Sequence, residues 1–169
     1  MISLLASPPS STAAATRFTL ISDAAHLEGL RPDWEDLLRR SGADEPMLSP
    51  LWLLSWWHVY GQGTARVPRV GLFYRAGRLV GLAPLLQRRY WYRPGIPFRR
   101  LEPLGAGEDG GDGVCSEYLN IIAERGAEQH VAGELAAALT AGRFGPWDEL
   151  VLPMMNGDGR GILNAPERM

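Results

Sequence analysis

The stretch from Ser49 to Gly61, SPLWLLSWWHVYG, constrains this chain more than any other. Ser49 is a good N-cap, and Pro50 fits the first helical position, where its missing N–H costs nothing. Gly61 supplies a left-handed stop. The spacing predicts a helix of about three turns in which only Ser55 and His58 are polar, three apart on one narrow face. Such a helix is expected to be buried on most sides. Its Trp52, Trp56, Trp57 and Tyr60 bring a large aromatic area to a core or an interface. His58, with only Ser55 beside it, reads as a satisfied core histidine rather than a base.

At 169 residues the chain has room for one domain with a real core, and 46% apolar with 21% charged residues is ordinary for a globular protein. A formal net charge of −2 gives no general attraction to nucleic acid or to a membrane surface. All 17 basic residues are arginine, so any mechanism that needs a lysine is excluded. Cys115 stands alone, which leaves no intramolecular disulfide and no four-thiolate metal site. No stretch approaches the roughly 20 apolar residues of a membrane span, and the first residues lack a basic signal-peptide start. The expectation is a cytoplasmic protein without a bound metal.

Residues 1–16 include the low-complexity run SPPSSTAAAT and read as a disordered tail. Arg17 to Ser22 alternates like a strand. Leu27, Leu30, Trp34, Leu37 and Leu38 follow helical spacing, with Pro32 resetting the helix start. Arg69 to Leu86 reads as a hairpin turning at Ala76-Gly77. Pro84 cannot donate to a ladder and marks a bulge or an edge. Arg100 to Leu104 is a candidate strand and Glu117 to Ala123 a stronger one. Glu124 to Ala141 is helical through Val131, Leu135 and Leu139, and Asp148 to Leu152 is a last strand. The order β-α-α-β-β-(β)-β-α-β predicts an α/β layer, a mostly antiparallel sheet with helices on its faces. It makes one domain over 17–154, followed by an irregular tail over 155–169.

This order is similar to the first portion of the Gcn5-related acetyltransferase (GNAT) fold. Trp34 on the first helix, then SPLWLLSWWHVYG, GRLVGLAPLLQRR, LEPLG, SEYLNII and WDELVLP in series, resembles the FemAB/CelD branch, with its BioF2-like acetyltransferase domain. The resemblance implies acyl transfer from an acyl-CoA type thioester to an amine or hydroxyl acceptor in cell-envelope or polysaccharide metabolism. It also implies two related halves, of which this chain matches the first; a second half, missing or in trans, is an expected partner. The family holds coenzyme A pyrophosphate on a glycine-rich turn before a helix. The corresponding junction here, Ala123 to Gln129, has one glycine and two acids, so no cofactor-binding motif is recognisable.

The candidate site residues come from two regions. Acyl transfer wants a base near the acceptor and an acid for the leaving thiolate, and Glu117 and Tyr118 open a strand beside the glycine-rich loop 105–113. Alternation would put them on opposite faces; the plain reading has Tyr118 in the core and Glu117 on the surface. Arg88, Arg89 and Trp91 interleave guanidinium groups with an aromatic ring, a combination that grips phosphates, and Asp109 and Asp112 could touch an acceptor or a cation. Two other functions fit the same residues. One is a non-catalytic scaffold or docking half; the other is binding of a phosphate polymer such as RNA through Arg88 to Arg100.

Overall fold

The structure, a computed structural model, describes residues 15–43, 45–61, 65–107, 114 and 116–153. The element order is the one the sequence predicts, with the first helix divided. Strand β1 (Thr16–Ile21) leads into α1 (Ala24–Gly29), capped by the Asp23 carboxylate, which accepts from the Ala25 N–H at 3.0 Å. Helix α2 (Arg31–Arg40) restarts with Pro32 in its first turn and buries Trp34, Leu37 and Leu38. The Trp34 indole donates to the Leu48 carbonyl at 3.0 Å, so the largest ring of the core leaves no orphan donor.

Helix α3 (Pro50–Trp56) starts as expected, with the Ser49 hydroxyl accepting from the Trp52 N–H at 3.2 Å. It then widens into a π turn over Trp57–Gly61. Gly61 does not take the left-handed conformation expected of it. Its role is space, because a Cβ there would collide with the Trp57 ring one turn back. Burial is also less complete than expected: Leu51 is 66% and Val59 70% exposed. His58 is no core histidine. It lies on that exposed side, 3.7 Å from the Glu28 carboxylate.

Strands β2 (Arg66–Arg75) and β3 (Arg78–Arg93) form the expected hairpin through Ala76-Gly77, and β4 (Ile96–Pro103) returns antiparallel to β3. The arginine- and aromatic-rich segment Arg88 to Arg100 is therefore the far end of a second hairpin. Strand β5 (Ile122–Ala123) pairs with Gly81 and Leu82 of β3, directly beyond the stretch of β3 that β4 covers. So β4 and β5 lie end to end along one edge of β3, separated by the excursion 104–121. Pro84 sits at that break rather than at a bulge or an edge. Its carbonyl accepts from the Leu104 N–H at 2.8 Å, and a strand residue's N and O point the same way. The missing N–H thus falls where one partner strand gives way to the next.

Only two residues of the predicted strand 117–123 belong to β5. Tyr118 has φ 59, which breaks the extended run, and β3 offers a free edge only beyond β4. Helix α4 (Glu128–Thr140) starts four residues later than expected. Glu124 is still tied to the sheet, its N–H on the Val80 carbonyl at 2.9 Å and its carboxylate held by Arg40 at 2.7 Å and Arg78 at 3.2 Å. The last strand, β6 (Glu149–Leu150), pairs parallel with β4, giving a six-stranded, otherwise antiparallel sheet in the order β1-β2-β3-β4-β6.

Two cores follow from strand alternation. On one face α1, α2 and α3 cover Val70, Leu72, Leu82 and Leu86. On the other, α4 and Phe144 cover Phe18, Phe73, Ala83 and Leu85. Among the described residues no helix is long and apolar enough to cross a membrane. The expected tails lie outside the described residues apart from Ala15 and Thr16, and Thr16 already belongs to β1.

Candidate functional site

Register places Arg66, Arg88 and Arg100 directly opposite one another across β2, β3 and β4. Alternation turns all three toward the α1–α3 face. Like charges in one cross-strand row are destabilising unless something answers them. Glu102, two residues beyond Arg100 on the same face, supplies the answer: its Oε1 lies 2.5 Å from Arg88 Nε. Arg100 donates to the Glu149 carboxylate at 2.9 Å and stacks on the Tyr90 ring, 3.9 Å from its centroid. Arg66 donates to the Tyr60 carbonyl at 2.8 Å and to the Gly107 carbonyl at 2.5 Å.

Glu102 is only 2% exposed. Burial pushes its carboxyl above the usual carboxylate range, against the pull of Arg88 first and of Arg100 and Arg66 behind it. Gly107, at φ +79, lies so close that a Cβ would run into the Glu102 carboxylate. The backbone at 107 can approach only because the residue is glycine.

An apolar cleft of about 190 Å³ opens beside this cluster, lined by Trp52, Ser55, Trp56, Val59, Tyr60 and Val114. Tyr60 joins the two features, since it lines the cleft and its carbonyl holds Arg66. The Trp52 indole donates to the Ser116 hydroxyl at 3.1 Å, tying the excursion 104–121 to α3. Glu102 stands near the end of β4, whose parallel neighbour β6 pairs with it only at Arg100 and Leu101. Ligands in open sheets favour the crevice at the carboxyl ends of parallel strands. A buried carboxylate of raised pKa, ringed by arginines and set beside an apolar cleft, is a group that can exchange a proton.

The predicted site residues scatter around this centre. Glu117 is exposed, and its N–H points to the Met47 sulfur at 3.0 Å. Tyr118 is exposed on a left-handed turn, not in the core. Arg88 joins the cluster, whereas Arg89 and Trp91 alternate to the α4 face, and Trp91, at the hairpin tip, is 54% exposed. Asp109, Asp112 and Cys115 lie outside the described residues. Among the described residues no three His, Cys, Asp or Glu side chains gather as metal ligands. Glu102 is the residue that sequence reasoning missed. Its parity with Arg88 and Arg100 was visible once a strand was drawn through LEPLG, but its burial was not.

No family model matches this chain, and none of the curated proteins compared does. Among solved structures it is similar to a ribosomal-protein-alanine N-acetyltransferase from Brucella melitensis biovar Abortus 2308. That likeness spans 86% of this chain and 84% of the other at 11% identity, with a TM-score of 0.45. Neither number lends a residue role to this chain.

Proposed function

We propose that this chain is an acyltransferase-type domain that moves an acyl group from an acyl-CoA type thioester to an amine or hydroxyl. Its acceptor is a cell-envelope or polysaccharide precursor, as the FemAB/CelD resemblance implies. One observation carries the reading: the buried Glu102 carboxylate, raised in pKa, in a cluster that Arg66 joins through the Tyr60 carbonyl to the Trp52/Trp56/Tyr60 cleft. The cleft offers an apolar seat for the acyl chain or its thioester arm. Glu102 takes the proton that the acceptor loses as its nitrogen or oxygen attacks the carbonyl carbon. The C–S bond then breaks, and the sulfur leaves as a thiolate that takes its proton from solvent. Arg88 holds the carboxylate in place for that transfer.

The α4 junction supports a second half as the main donor site. Glu124 is locked by two arginines, and Glu128 stands in the first turn, where an anion would otherwise bind. A docking role is favoured by one separate observation, the exposed Leu51 and Val59 on α3 and its π turn.

The test is thiol release from millimolar acetyl-coenzyme A in the presence of amine and hydroxyl acceptors. Acceptor-dependent release should fall about 10²- to 10⁴-fold in Glu102→Gln, the usual contribution of a general base, while the thermal melt stays cooperative. No release with any acceptor, or release unchanged in the variant, would leave only the docking role.

A further inference from the structure

The opposite face of the same three strands carries a second, differently charged feature. Arg69 of β2, Gln87 and Arg89 of β3 and Arg99 of β4 line a concavity of about 390 Å³, bordered also by Ala65, Val67 and the Arg66 and Arg88 of the Glu102 cluster. Arg69 is half-buried, and its partners are neutral: Nε donates to Gln87 Oε1 at 3.0 Å and Nη1 to the Ser22 hydroxyl at 2.8 Å. Gln87 in turn donates its amide to the Pro146 carbonyl at 3.2 Å, which fixes its oxygen toward Arg69. Among the described residues no carboxylate touches Arg69, and burial lowers its affinity for its own proton. Arg89 stands directly opposite Arg99. Asp148 takes up Arg99 with two side-chain bonds, 2.9 Å and 2.8 Å long, and Arg89 has no ion-pair partner among the described residues.

The concavity therefore holds two guanidinium groups whose charge no carboxylate among the described residues answers, one of them oriented by neutral partners. That is the arrangement of an anion site, because planar arginine forks match phosphoryl oxygens. Spacing refines the ligand. Arg69 faces Leu85, four residues along β3 from Arg89, so the two backbone positions are roughly 13 Å apart. Two long side chains reaching inward across that distance fit two linked phosphoryl groups better than one.

We propose that this concavity binds the diphosphate group of a small molecule through Arg69 and Arg89, with Gln87 between them and Arg99 beside Arg89. The proposal does not rest on acyl transfer, since its two gripping residues, Arg69 and Arg89, lie on the α4 face and it involves neither a thioester nor Glu102, although Arg66 and Arg88 also border the concavity.

The experiment is calorimetric titration of the chain with inorganic pyrophosphate and, separately, inorganic phosphate at low ionic strength. Pyrophosphate should bind at least about tenfold more tightly than phosphate and should weaken as salt is raised. Arg89→Gln, an exposed change that leaves the fold intact, and Arg69→Gln, checked by its melt, should each weaken pyrophosphate at least about tenfold. Arg125→Gln, exposed on the turn before α4, should leave the titration unchanged. Equal affinity for the two anions, no pyrophosphate heat at all, or full binding by the Arg69→Gln/Arg89→Gln double variant would overturn the proposal. Because neither probe carries an acyl group, such a failure would leave the thiol-release result untouched.

Discussion

The two faces of β2, β3 and β4 are built from alternate residues of the same strands, and where the three strands run side by side each face presents a group of arginines. They are handled in opposite ways. On the α1–α3 face Arg66, Arg88 and Arg100 are closed in by a buried glutamate, a tyrosine ring and two backbone carbonyls. On the α4 face Arg99 takes the exposed Asp148 carboxylate, while Arg69 and Arg89 meet no carboxylate among the described residues and border open space. The difference comes from what covers each face. Helix α3, with Leu104, Ala106 and Leu119, covers the first, whereas α4 and Phe144 pack on the second away from these arginines. Charge that is roofed must be paired internally; charge left open can wait for a ligand.

The largest expected contrast is between the two tryptophans that mark these faces. Trp56→Ala, in the roofed core, should cost about 3–5 kcal/mol, as large-to-small core aromatics do. Trp91→Ala, on the open hairpin tip, should stay within about 0.5 kcal/mol. Chemical denaturation of both variants checks this, and equal losses would erase the distinction.

Removing the buried glutamate comes next. Glu102→Ala leaves the Arg88 guanidinium, itself largely covered, without its carboxylate and should cost about 3 kcal/mol, as breaking a buried ion pair does. A loss within about 0.5 kcal/mol, the range of surface changes, would mean that the cluster is not a closed one.

The finest contrast is in acid. Hydrogen bonds from the Arg99 side chain and backbone bring the Asp148 carboxyl down from 3.8 to about 2. Its contribution is therefore present above about pH 4 and lost as pH falls toward 2. Glu102 shifts the other way: its contribution is complete below its ordinary 4.5 and is lost as pH rises through the higher folded value. Melting temperatures should show the advantage of wild type over Asp148→Asn shrinking as pH drops from 4 to 2. The advantage over Glu102→Gln should shrink as pH climbs above 4.5. Parallel slopes would mean that the two carboxylates sit in equivalent environments.

Much of the fold was legible in the residues. Ser49-Pro50 starts α3, the alternation of Val70, Leu72 and Tyr74 draws β2, and Val131 with its helical neighbours draws α4. These are local signals, periodicity and caps, and they survive in any tertiary context. The end of α3 was not legible, since Gly61 looks like a left-handed stop and serves instead to admit the Trp57 ring. Nor was the shortness of β5, because whether 117–121 pairs depends on which part of β3 is already taken by β4.

The site divides the same way. Sequence alone determined that arginines and aromatics crowd Arg88 to Arg100, whereas strand pairing decided that β3 and β4 run through this segment. It could not assign Arg88 and Arg89 to opposite faces with different partners, because that depends on register with β2 and β4. Tertiary structure alone decided that Glu102 is buried and its pKa raised while Glu117 stays in solvent. A carboxylate's burial is set by what packs over it, here the excursion that returns through Gly107 and Ser116 to α3, and no neighbour in sequence records that contact.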